Sequence, residues 1–144
     1  MRQREVALRV GTRRPKIPRD RTLRFALDVM GELGVEGSVA VEVCGRARMA
    51  ALNARYRRKR GPTDVLAFPD GESDGTGRVH LGDLLICAAV VARNGRERGH
   101  GFAGEFYRVL LHGLLHLAGY DHETDQGRMA RREKALARRW GLPA

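Results

Sequence analysis

The 144-residue chain predicts an α+β domain, a small mixed sheet of about four strands packed with about five helices. Three observations lead there. Val6, Leu8 and Val10, and again Val39, Val41 and Val43, alternate with more polar neighbours, the period of a half-buried strand. Leu23, Ala26, Leu27, Met30 and Leu33 recur three and four apart, the period of an amphipathic helix. No internal repeat, linker or low-complexity tract interrupts the pattern, so residues 1–144 read as one domain, strands early and a long apolar helix late.

Taken in order, Glu5 to Val10 is the first strand. Gly11 to Arg19 is a basic loop broken by Pro15 and Pro18. A helix follows from Asp20, its expected N-cap, to Leu33, and Gly34 ends it. Ser38 to Cys44 is the second strand. Arg46 to Tyr56 returns to helical spacing through Met49, Leu52 and Tyr56, so Tyr56 is expected in the core, aiming its neighbour Arg57. The helix runs into a basic cluster, Arg55, Arg57, Arg58, Lys59 and Arg60, stopped by Gly61 and Pro62. Thr63 to Phe68 reads as a third strand ended by Pro69, and Asp70 to Gly77 as a mobile loop. Arg78 to Ile86 is the fourth strand, interrupted by Gly82 and Asp83. Ala88 to Arg96 is a short helix and Gly95 to Gly101 a polar linker. Phe106 to Leu117 is a helix apolar almost all round, hence buried. A last helix, capped by Thr124 or Asp125, carries Met129, Leu136 and Trp140.

The formal net charge of +10 favours an anionic partner, nucleic acid first, although Arg greatly outnumbers Lys, which a genome-wide coding bias would also produce. Cys44 and Cys87 form no C-x-x-C pair and read as small core residues in a reducing compartment. The N-terminus has no signal-peptide apolar region, and the longest charge-free apolar run, Leu84 to Ala92, is too short to span a bilayer. The chain is expected to be cytoplasmic, with no membrane partner.

The densest chemistry lies in His112-Gly-Leu-Leu-His116-Leu-Ala-Gly119-Tyr-Asp121-His122, spaced H-x-x-x-H-x-x-G-x-x-H. On a helix, His112 and His116 leave one face a turn apart. Gly119 can take the left-handed conformation that ends the helix and returns His122 towards them. Three neutral imidazoles with an open fourth position are what a catalytic zinc site needs. An isolated His on an apolar helix reads more simply as a satisfied core residue, but three of the chain's five His fall in this stretch. The spacing is similar to that of the metzincin proteases, where a Glu general base follows the first His. Here that position is Gly113, so no peptide substrate is expected. Gly113 leaves room beside the metal or serves helix packing. Asp121 is either a hydrogen-bond acceptor for a ligand imidazole or a turn residue. Asp64 and Asp83 flank strands, at a cleft or in turns.

Two stretches together resemble the bacterial YbeY endoribonucleases, or rRNA maturation factors. One runs from Leu52-Asn53 through Tyr56-Arg57 and Pro62-Thr63-Asp64-Val65-Leu66 to Phe68-Pro69; the other is His112 to His122; Leu81-Gly82-Asp83 fits the segment between. The resemblance implies a zincin-like version of the α+β fold and a single-strand-specific, metal-dependent endoribonuclease. It further implies a role in ribosomal RNA maturation, notably 16S rRNA 3′ end processing, and in ribosome quality control. Single-stranded RNA, ribosomal RNA and the small ribosomal subunit are the implied partners. One Zn²⁺ per chain would be held by His112, His116 and His122, and the family's functional arginine falls on Arg57. Ala67 stands where a Ser is frequent in the family. Proton transfer falls to the metal's hydroxide, to Asp121 or to the RNA 2′-hydroxyl, three alternatives the sequence leaves open. A competing reading is a ribosome-binding assembly factor with a structural metal closed by a fourth ligand, for which Cys44 or Cys87 is the obvious donor.

Overall fold

The computed structural model describes residues 3–58, 61–73, 78–120 and 125–143. Strand β1 (Arg4–Val10) is followed by helix α1 (Arg19–Leu33), β2 (Gly37–Cys44), α2 (Arg46–Arg57), β3 (Val65–Ser73), β4 (Val79–Cys87), α3 (Ala88–Arg98), α4 (Gly101–Leu117) and α5 (Arg128–Arg139). Among the described residues, four strands and five helices make the α+β architecture expected from the periodicities. The sheet order is β1-β2-β4-β3. β1 and β4 each run parallel to β2, and β3 pairs antiparallel with β4 as an edge. A parallel neighbour needs a crossover, and α1 supplies it between β1 and β2.

Alternation splits the core across the two faces of the sheet. Val39, Val41 and Val43 on β2 share one face with Leu84 and Ile86 on β4, and α1, α4 and α5 cover it with Phe25, Val29, Met30, Phe106, Leu110, Leu114 and Met129. On the other face Cys44, Leu66, Leu85 and Cys87 pack against Met49 of α2 and Val90 of α3. Each fully buried Leu, Ile or Phe contributes roughly 1.5–3 kcal/mol through lost apolar exposure.

Several boundaries differ from the sequence expectation, each for a local reason. Asp20 lies in the first turn of α1, where a carboxylate faces the positive end of the helix dipole, while the N-cap position is Pro18. Gly34 closes α1 at φ 68° as expected. Pro69 does not end β3; the strand continues through it to Ser73, so residues 70–73 are strand rather than loop. An edge strand tolerates the missing N–H, and the ladder shifts register between Pro69 and Glu72. Residues 74–77 of the expected loop lie outside the described residues. α3 and α4 both extend into the expected linker, leaving only Gly99 and His100 between them. The N-cap position of α5 is Gly127 rather than Thr124 or Asp125, but the Asp125 carboxylate still accepts from the backbone N–H of Gly127 at 3.1 Å and of Met129 at 2.7 Å. Among the described residues, no helix is long and apolar enough to cross a membrane.

Candidate active site

α4 is buried on almost every side; from Glu105 to Leu117 the exceptions are Arg108, His112 and His116, spaced four apart in one row. Side chains at i and i+4 stack on one helix face, so this row opens together. It opens into a cleft of about 800 Å³ walled by β3 and the loop before it, by α4, and by Tyr56 and Arg57 at the end of α2. The rings of His112 and His116 lie edge to face, with centroids 4.9 Å apart. Thus the fold brings His112, His116 and Arg57, distant in sequence, to one cleft. Gly119 takes φ 101° behind the helix end, the conformation expected of it. His122 and Asp121 lie outside the described residues. Among the described residues, no three His, Cys, Asp or Glu side chains form a metal-holding group.

A residue the sequence reading missed organises His112. Glu133 of α5 places Oε1 2.5 Å from His112 Nδ1. An ionised carboxylate only accepts, so the proton of the neutral ring sits on Nδ1 and the lone pair on Nε2. A carboxylate behind an imidazole is the usual way a ligating His is oriented and made more basic. This donor chemistry fits a zinc-type ion at Nε2. Glu133 is the single acidic residue of α5, in a helix with five Arg and one Lys. That isolation was the available signal, but 21 residues separate it from His112, and only packing of α5 on α4 brings them together.

A second carboxylate organises Arg108. Glu105 is fully buried, at 0% exposure, and takes three partners, two guanidinium groups and an imidazole. Arg98 Nη1 donates to its Oε2 at 2.7 Å, Arg108 Nη2 donates to Oε2 at 2.8 Å, and His100 Nδ1 lies 2.9 Å from Oε1. Burial pushes the Glu105 carboxyl up, but the hydrogen bonds from Arg108 and His100 outweigh it and hold it below the ordinary carboxylate range. In return the Glu105 hydrogen bond raises the Arg108 pKa. Arg108 is therefore a pinned guanidinium lining the cleft beside His112, in addition to Arg57. The repeat R-x-x-x-H-x-x-x-H in α4 signalled it.

Packing bears on three of the open choices. A Cβ at Gly113 would meet Leu84 Cδ2 at 2.8 Å and Cδ1 at 3.0 Å. The glycine lets α4 approach β4, and a side chain there would enter the core. Cys44 and Cys87 are buried on the sheet face away from the α4 core and do not line the cleft. Burial first, then the neighbouring Cys87, pushes the Cys44 thiol up to about 11. Asp64 lines the cleft, whereas Asp83 bonds His80 Nε2 through Oδ1 at 3.1 Å and borders a groove among β1, β2 and β4.

Tyr56 corrects the sequence reading: it is not in the core but 56% exposed at the cleft mouth. Arg57 ends α2, and Arg58 caps it in the left-handed region at φ 55°. The buried Asn53 side chain links α2 to the segment before β3, its Nδ2 donating to the Gly61 carbonyl at 2.9 Å. Lys59 and Arg60 of the basic cluster lie outside the described residues.

Comparison with known proteins gives the chain a family and a fold relative. The sequence pattern of the family described as Endoribonuclease YbeY matches residues 15–141. Proteins of that name are similar to this chain in Solibacter usitatus (40% identity over 91% of this chain and 82% of the relative) and Methylococcus capsulatus (42% over 72% and 71%). An Anaeromyxobacter protein of that name is 44% identical over 74% of this chain, which spans 56% of its length. A solution structure from Thermotoga maritima superposes with a TM-score of 0.66 at 28% identity, covering 94% of this chain and 89% of that one.

Proposed function

The chain belongs to the YbeY endoribonuclease family, and from that premise we propose that it is a metal-dependent endoribonuclease cleaving single-stranded RNA in the cleft between α4 and β3. The observation that carries the reading is the convergence of His112, His116 and Arg57 on that cleft. Maturation of ribosomal RNA at the 16S 3′ end, with ribosome quality control, is the proposed setting, and one Zn²⁺ the proposed cofactor, held by His112, His116 and His122. When bound, such an ion supplies Lewis acidity towards a phosphoryl oxygen and lowers the pKa of water.

The chain's own residues then divide the work. Glu133 fixes the His112 tautomer with Nε2 free of its proton. Arg57 presents a planar fork of donors matched to phosphate oxygens. Arg108, tethered to Glu105, adds fixed positive charge on the α4 wall, where preorganised donors stabilise charge that develops during cleavage. The Gly113 Cβ direction runs into Leu84, which supports a nuclease over a peptidase needing a Glu there.

The test compares Arg57→Ala with Arg58→Ala in single-turnover cleavage of a single-stranded RNA at saturating concentration. Arg57→Ala is expected to keep fold and metal while lowering the rate by about 10² or more, the scale of losing one preorganised donor. Arg58→Ala should mainly shift affinity. Equal, near-normal rates for both would remove Arg57 from the chemistry, and no cleavage of any RNA by the wild type would remove the reading.

A further inference from the structure

Tyr56 is the most exposed of the large apolar side chains among the described residues, at 56%, where the others reach 37%. It is held rather than loose. Its ring meets Phe68 of β3 edge to face, with centroids 5.4 Å apart and planes at 73°. The Arg55 guanidinium carbon lies 5.4 Å from its centroid. Both Tyr56 and Phe68 line the cleft that holds Arg57, His112 and His116. An aromatic kept exposed at the rim of a cation-rich cleft loses apolar burial that the core would have supplied.

Charge complementarity selects the occupant. The chain carries +10, and the residues following Tyr56 in sequence, Arg57 and Arg58, are cationic. A polyanion drawn to these groups would bring its bases alongside the ring. Every nucleobase has a π-face that stacks on an aromatic side chain, and stacking requires a base not already stacked in a duplex. Arginine next to the ring adds cation–π attraction to the same platform.

We infer that Tyr56, braced by Phe68 and Arg55, is a base-stacking platform that receives one unpaired base of the RNA beside the reacting phosphate, so that the cleft selects single strands. The platform rests on the endoribonuclease reading and adds a subsite to it. It recognises any base and carries no sequence preference, because no base-edge contact is involved.

The experiment measures binding of single-stranded 2′-O-methyl oligonucleotides, chosen to resist cleavage, to the full chain and to Tyr56→Phe and Tyr56→Ala. A single abasic position is walked along the oligonucleotide. The intact strand should bind Tyr56→Ala about tenfold more weakly than wild type, the scale of losing one base–aromatic stack, and Tyr56→Phe should bind as wild type does. One abasic position should weaken the wild type by a similar factor and cost Tyr56→Ala nothing further. A 2-aminopurine at that position should be quenched on binding wild type and Tyr56→Phe but not Tyr56→Ala. Unchanged affinity in Tyr56→Ala, or an equal loss for intact strands and every abasic strand, overturns the platform while leaving the nuclease reading in place. Wild type that binds no RNA overturns both.

Discussion

The carboxylate behind His112 gives the sharpest handle on the site. Glu133→Ala removes a 2.5 Å contact to Nδ1 without touching any residue of the His motif. Loss of such a partner typically lowers metal affinity 10–100-fold. The pair is not deeply buried, with His112 32% and Glu133 20% exposed, so water partly replaces the lost acceptor. The lower part of the range therefore applies: about 10–30-fold, or about 1.4–2 kcal/mol at 1.4 kcal/mol per decade. Glu133→Gln keeps a neutral acceptor and should fall between wild type and Glu133→Ala. The assay is competition for Zn²⁺ between the full chain and a chromophoric chelator at neutral pH, with His116→Ala as the variant that loses the ion. Thermal unfolding in excess chelator should place Glu133→Ala close to wild type, since a partly exposed hydrogen bond contributes about 1 kcal/mol. If Glu133→Ala holds Zn²⁺ as tightly as wild type while His116→Ala releases it, the contact does not orient a ligand. A large loss of stability without metal would make Glu133 a structural residue.

Other consequences follow from the same packing. Glu105→Gln removes the charge held between Arg98, Arg108 and His100 and should cost about 2–3 kcal/mol in urea unfolding, little of it from any one partner. The Glu105 pKa is lowered in the folded chain, so the stability it confers is present above its unfolded value of about 4.5 and is lost as pH falls through the folded pKa. Wild type should therefore lose stability more steeply in acid than Glu105→Gln, and parallel curves would contradict this. Gly82→Ala combines φ 149° with a Cβ 2.4 Å from the Phe68 carbonyl oxygen and 2.7 Å from Leu117 Cδ2; it should destabilise by about 3 kcal/mol in thermal or urea unfolding, and a neutral result would show that β3 can move away. Gly113→Glu, which recreates the protease spacing, should drive a carboxylate into Leu84 and lower the melting temperature without chelator-sensitive cleavage of unfolded protein. A stable, peptide-cleaving variant would refute the packing reading of that glycine.

What the sequence by itself determined here is local or written in spacing. Alternation placed β1 and β2, helical spacing placed α1 and α2, and both reflect a backbone period that each segment carries alone. The i, i+4 interval put His112 and His116 on one face before any tertiary contact was known, and the charge made nucleic acid the first partner to consider. Tertiary structure decided the rest. Whether Pro69 ends a strand depends on whether its missing N–H faces a neighbour, and β3 turned out to be an edge. Whether Tyr56 is buried depends on what lies across from the end of α2, and a cleft lies there. Gly113 was ambiguous because Leu84, which fills the space beside it, is on another element. Glu133 and Glu105 look like ordinary surface charges in sequence. Their partners are set by how α5 packs on α4 and how α4 turns back on α3, and pairing between separate segments leaves no period in either one to be read.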